Sequence, residues 1–250
     1  MRSACLILAL LLGGAVAASA QCSAPCLAAV GNLGAHTYTT GEIATTGAKF
    51  IAYSLSFVNG NQPVISDNAG NSAPSCLMPE SASFGGSSVI CYTINPNTSN
   101  SHTFTVTGAG NIYSAIQVAA FSTANLTYSG ILAGTNTAGP TTTYRPGSVT
   151  PLSTGDLVIA VISAGTNGGT ALTISSGFNI TGQQTYSGGT AFGAALAYLV
   201  SPAGAAVNPT WTDSQSEGAG LTVASFSQSS GSIPPPPPSV SVTSGGPAIL

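Results

Sequence analysis

The chain has 250 residues, of which 4% are charged, and a formal net charge of −3. Three cationic side chains cannot neutralise a phosphate backbone or an anionic lipid surface, which argues against nucleic-acid binding and polybasic membrane attachment. Hydrophobic residues make up 43% of the chain, enough for a sizeable core, and solubility must then come from Ser, Thr, Asn and Gln.

The first twenty residues, "MRSACLILALLLGGAVAASA", place Arg2 before an apolar stretch that ends in small residues. That is the layout of a secretory signal peptide, with cleavage expected before Gln21 and an exported, soluble mature chain. A retained membrane anchor would need a longer apolar span. Gln21 also stands where a lipid anchor on Cys22 would need a small residue. Cys5 leaves with this segment, so Cys22, Cys26, Cys76 and Cys91 remain as an even set, expected to pair in an oxidising compartment. Three connectivities exist, and Cys22–Cys26 with Cys76–Cys91 is favoured because each pair is local; a zinc site made from the four is the rival, disfavoured because the second pair is too far apart for a knuckle.

From residue 37 onward the chain is written twice. "TYTTGEIATTGAKFIAYSLSFVNG" (37–60) lines up with "TYRPGSVTPLSTGDLVIAVISAGTNG" (143–168), matching Thr46-Gly47 to Thr154-Gly155 and Ile51-Ala52 to Ile159-Ala160. In the same order follow "CYTINP" with "AYLVSP", "HTFTV" with "PTWTD", and "VAAFS" with "VASFS". Ordered self-similarity of this kind marks a duplicated supersecondary unit. Each copy carries short runs rich in Val, Ile, Phe and Tyr, separated by Gly, Asn, Pro and Ser. The near-continuous runs "FIAYSLSF" and "LVIAVIS" predict central strands, and "HTFTVTG" alternates like a half-buried one. The fold class predicted is all-β: a jelly-roll-like β-sandwich of two tandem halves, about 37–122 and 143–227, within a domain spanning 21–230. The alternative is two small immunoglobulin-like sandwiches. Residues 123–142 would join the halves. Five prolines, 234–238, open a stiff linker in the tail 231–250.

Candidate sites are few. "SDNAGN" (66–71) gathers Asp67, Asn68, Gly70 and Asn71, but it has one carboxylate, its Gly is misplaced for a calcium loop, and no distal Glu follows. A turn explains it better, through Asx bonding and a Gly of positive φ. A metal reading needs Asp67, Asn68 and Asn71 to meet distant oxygens. Glu80, Asp213 and Glu217 are the carboxylates a glycosidase pair would draw on, yet all sit in loop-like sequence and read as solvated turn residues. His36 and His102 read as exposed strand ends, and no serine lies in a nucleophile elbow. Lys49 reads as snorkelling at a strand end. For carbohydrate binding, Trp211 would be the aromatic platform, with Tyr113, Tyr144, Tyr186 and Tyr198 scattered around it. Its match to Phe104 favours a core position instead.

"GDLVIA" (155–160), "SDNAGN" (66–71) and "VASFS" (223–227) together resemble the secreted β-sandwich modules of unknown function in large bacterial surface and extracellular proteins. Those modules often stand beside immunoglobulin-like repeats, and "SVSVTSGGPAIL" resembles the opening strand of such a repeat. The resemblance implies a non-catalytic secreted or cell-surface module, structural or adhesive, with no cofactor and no catalytic residues to carry over. Its partners would be extracellular glycans or other surface proteins. A carbohydrate-binding module is the alternative, and a secreted hydrolase the second alternative.

Overall fold

The computed structural model describes residues 25–33, 39–58, 62–77, 80–81, 86–108, 113–122, 126–165, 172–186, 192–201 and 204–228. The expected signal segment, Cys22, His36 and the Pro-rich tail lie outside them. The described residues are all-β, with no helix. The strands are β1 (Leu27–Leu33), β2 (Phe50–Val58), β3 (Val64–Asp67), β4 (Ser75–Cys76), β5 (Glu80–Ser81), β6 (Ser87–Ile94), β7 (Phe104–Thr107) and β8 (Tyr113–Phe121). They continue as β9 (Leu126–Tyr144), β10 (Leu157–Ala164), β11 (Thr173–Ile174), β12 (Asn179–Tyr186), β13 (Phe192–Val200) and β14 (Trp211–Gln228).

One large antiparallel sheet runs β1-β8-β2-β6-β4, with β5 also on β6. The other runs β11-β14-β10-β13-β12, with β9 also on β14. Along the second part of β14 the order is therefore β9-β14-β10-β13-β12, the same threading as in the first sheet. The segment expected to join the halves is itself β9, an edge strand of the second sheet. Outside the first sheet, β3 pairs β7, and bridges from Thr39 and Ile43 extend that layer. Outside the second, the start of β14 holds the same place between β11 and the end of β9.

The described strands are compatible with a β-sandwich and bury three hydrophobic cores. Each half closes a core of its own: Ile51, Tyr53, Leu55 and Phe104 belong to the first, Val158, Ala160, Tyr144 and Trp211 to the second. A third core lies between the large sheets and draws on both, with Phe50, Ile90 and Phe121 meeting Leu157, Ile159 and Phe226. This explains the continuous apolar runs. A strand shows its side chains alternately to two faces, and in β10 all eight positions are buried because both faces are covered. Facing strands exchange symmetrically: β1 lies over β12 as β5 lies over β9, and β2 lies over β10. The aromatic contacts repeat the exchange. Tyr92 meets Phe226 edge-on at 5.2 Å and 69°, and Tyr198 meets Phe121 at 5.4 Å and 71°.

Strand register corrects the sequence alignment at one point. Phe50 pairs with Phe121 and Leu157 with Phe226, so Phe50 corresponds to Leu157 and Ile51 to Val158. The match of Ile51 to Ile159 is off by one because the first half carries an extra residue between Gly47 and Phe50. With a side-chain period of two, that slip decides the face. Ile51 enters the first half's own core, whereas Ile159 enters the shared one. At its other end the seam between the sheets is polar, lined by Ser54, Ser56, Ser88, Gln117, Ser163 and Thr222, all buried. The sheets approach closely there: a Cβ on Gly86 would fall 2.0 Å from Ser163 Oγ.

Candidate functional site

The "SDNAGN" turn is closed by its own side chains. Asp67 Oδ1 accepts the N–H groups of Ala69 and Asn71 at 2.9 and 3.1 Å, and Oδ2 accepts Asn71 Nδ2 at 2.8 Å. Asn68 Oδ1 accepts the Thr103 N–H while its Nδ2 donates to Ser101 O. Asn71 Oδ1 accepts the Asn97 N–H at 2.6 Å. The oxygens of Asp67, Asn68 and Asn71 are thus engaged in holding the chain reversal, with Gly70 at a φ of 74°. A matching turn, missed in the sequence, stands in the second half. Gly177 has a φ of 77°, Ser175 N–H donates to Thr210 O, and Ser175 Oγ accepts the Thr210 N–H. Asn68 N–H donates to Thr103 O in the same way. Ser175 accepts the Thr210 N–H as Asn68 accepts that of Thr103, but with a different residue type, so matching residue identities could not find it.

His102 is not an exposed strand end but fully buried, at 0% exposure. Its Nδ1 lies 2.8 Å from Thr45 Oγ1, and its Nε2 lies 3.4 Å from Asp67 Oδ2, close enough for attraction but without hydrogen-bond geometry. Hydroxyl, imidazole and carboxylate line up in the order of a nucleophilic relay, yet Thr45 is itself fully buried. A nucleophile must reach its substrate; this one ties three loops together instead.

The second correction concerns the acids. Asp213 and Glu217 are buried, at 2% and 8% exposure, where solvated turn residues were expected. Asp213 shares an inward face with Trp211, since Thr212 between them is exposed. It stands where the first half has Val106, a core residue. Asp213 Oδ1 accepts the Gln215 N–H at 3.0 Å, while Oδ2 has no hydrogen-bond partner. Beside them, the Tyr144 hydroxyl lies 2.6 Å from Thr141 O and 3.2 Å from Glu217 O. Its pKa is pushed up to about 12 by burial first, then by the charges of Glu217 and Asp213. Trp211 is 0% exposed and sits in the second half's core, so its ring face is not offered to a sugar. Its match to Phe104 had pointed there.

Tyr198 is half-buried, and the side chains of Tyr113, Tyr186 and Glu80 lie outside the described residues. Lys49 is exposed at the strand end, and Asp156 is buried, accepting the Ser153 N–H and the Ser227 hydroxyl, both at 2.9 Å. Cys76 and Cys91 form a disulfide across β4 and β6, and Cys26 is also disulfide-bonded. Among the described residues no three His, Cys, Asp or Glu side chains gather to hold a metal, and no helix is long and apolar enough to cross a membrane. One concavity of about 360 Å³ opens on the second half, between the Ser176–Gly177 turn, Leu199, Ser201, Val207 and Asn208. In the first half the corner beside Gly70 is bridged instead, by Asn97 bonding Asn71 and Ala69.

No family model, curated protein or solved structure matches the chain.

Proposed function

We propose that the chain is a non-catalytic module of the cell exterior, structural or adhesive, built by duplication of one small β-sandwich. One observation carries this reading. Of the described side chains suited to acid–base chemistry, His102, Asp156, Asp213 and Glu217 are buried, Asp67 is half-buried with both carboxylate oxygens engaged in its own turn, and Glu42 is left exposed by itself. Among the described residues the surface is rich in hydroxyls and amides, with few charges such as Glu42, Lys49 and Arg145. Export is supported by the signal-like N-terminus and by the Cys76–Cys91 disulfide, which belongs in an oxidising compartment. The identical threading of the two large sheets and the reciprocal tyrosine–phenylalanine contacts support duplication. The test is to secrete the chain, read its mature N-terminus, and assay it on glycan and matrix-protein arrays beside a hydrolase substrate panel. Processing before Gln21 without turnover agrees with the proposal. Turnover abolished by Asp213→Asn or Glu217→Gln would refute it.

A carbohydrate-binding reading has one observation in its favour, the concavity on the second half. Leu199 and Val207 give it an apolar floor, and Ser176 and Asn208 add polar groups at the rim. Pockets of this size hold small ligands. Glycan binding weakened by Asn208→Ala but not by a change at the buried Trp211's exposed neighbour Thr212 would favour it.

A further inference from the structure

An ionised carboxylate at a core position is costly unless something pairs with it. Asp213 stands at such a position, where the first half places Val106, and its Oδ2 is buried with no hydrogen-bond partner. The cations among the described residues do not answer it. Arg145 is exposed, on the opposite side of the strand from Tyr144, and Lys49 belongs to the first half. The surroundings are rich in oxygen. Glu217 is buried nearby, and the single proton of the Tyr144 hydroxyl faces two carbonyl oxygens, those of Thr141 and Glu217. Both carboxylates act on the same phenol, which places their charges around one spot.

We propose that Asp213 is the anchoring ligand of a calcium-class divalent cation site at this end of the second half. Asp213 Oδ2 supplies the uncompensated charge, Glu217 adds a second negative charge beside it, and carbonyl oxygens of the Thr141 and Glu217 segment supply neutral donors. Hard cations take such mixed sets of carboxylate and carbonyl oxygens, and two carboxylates suit a weak extracellular site with a Kd of about 10⁻⁴–10⁻³ M. The ion would replace, in the second half, the apolar filling that Val106 provides in the first. Position and chemistry differ from the "SDNAGN" turn, whose side-chain oxygens already serve the protein.

Trp211 gives the test its readout, because it is the only tryptophan and lies one strand alternation from Asp213. The full chain, stripped with a chelator, is titrated with Tb³⁺ while exciting the tryptophan, and then with Ca²⁺ as competitor. Sensitised emission displaced by Ca²⁺ is expected, together with an unfolding midpoint higher in Ca²⁺ than in EDTA. Asp213→Asn should lower the emission at least about tenfold, since a neutral amide is a much poorer ligand for a hard cation. Asp213→Val installs the residue the first half uses; it should fold and lose the calcium response. Absent emission, equal midpoints in Ca²⁺ and EDTA, or emission that survives in both variants would each overturn the proposal.

Discussion

Burial turns three polar residues of this chain into structural parts with measurable weight. Asp67 accepts three hydrogen bonds and faces a buried imidazole, so Asp67→Ala would strand Asn71 and His102 together. Urea unfolding should show a loss of about 2–3 kcal/mol, the range for removing a charged acceptor from buried partners. A loss under about 0.5 kcal/mol would mean the turn holds without its carboxylate. The tyrosines offer a second measurement. Tyr144 is raised from 10.0 to about 12 and Tyr53 is raised further, in both cases chiefly by burial. Because the fold favours the protonated phenols, their contribution is complete below pH 10 and is lost as pH climbs through about 12. Alkaline titration followed by tyrosinate absorbance should leave these two phenols silent until the chain unfolds. All eight tyrosines ionising together near pH 10 with the fold intact would contradict their burial.

Among the elements, β6 is held by the long β2 on one side and only by the two-residue β4 and β5 on the other. The Cys76–Cys91 bridge fixes the short β4 to it across directly paired positions. The second half has Ala197 where the first has Cys91, and there β13 is flanked by the eight-residue β12, long enough to be held by its own ladder. A two-residue strand has no such ladder. The disulfide therefore does for β4 what length does for β12. Replacing both cysteines by alanine should lower stability by about 3 kcal/mol, as expected for a closed loop of this size. The comparison is made by denaturant unfolding of the oxidised and double-alanine chains. An unchanged midpoint would show that β4 adds nothing the rest of the sheet needs.

At the scale of the molecule, the shared core makes the two halves depend on each other. Phe50 touches Phe226 at 4.9 Å, so each half completes the other's inner face. Phe226→Ala should cost about 3–5 kcal/mol, the range for a large aromatic truncated in a core. It should also shift unfolding of both halves together, read by Trp211 fluorescence for the second half and by exchange of β2 amides for the first. The second half expressed alone, residues 143 to 230, would lack the β9 edge and expose Leu157, Ile159 and Phe226. It is not expected to give a cooperative monomeric transition. If it does, the halves are independent domains that merely touch.

Several features were legible in the residues alone because their physics is local. Alternating and β-branched runs announced the strands, Gly70 announced the turn, Cys76 and Cys91 were paired by proximity, and the match of Trp211 to Phe104 foretold a core ring. Other features depended on what lies across the sheet. A run such as "LVIAVIS" is equally apolar on both faces, so the sequence cannot say which residue enters which core, and a slip of one was enough to misassign Ile51. Nor does local pattern reveal whether an acid in a loop-like stretch faces water. Asp213, Glu217 and His102 carry polar side chains that normally stay solvated, and only the stacking of β3, β7, β9 and β14 around them took the water away. Solvent exposure belongs to the packed chain as a whole, and for this protein it was tertiary structure that decided which polar groups are surface and which are buried.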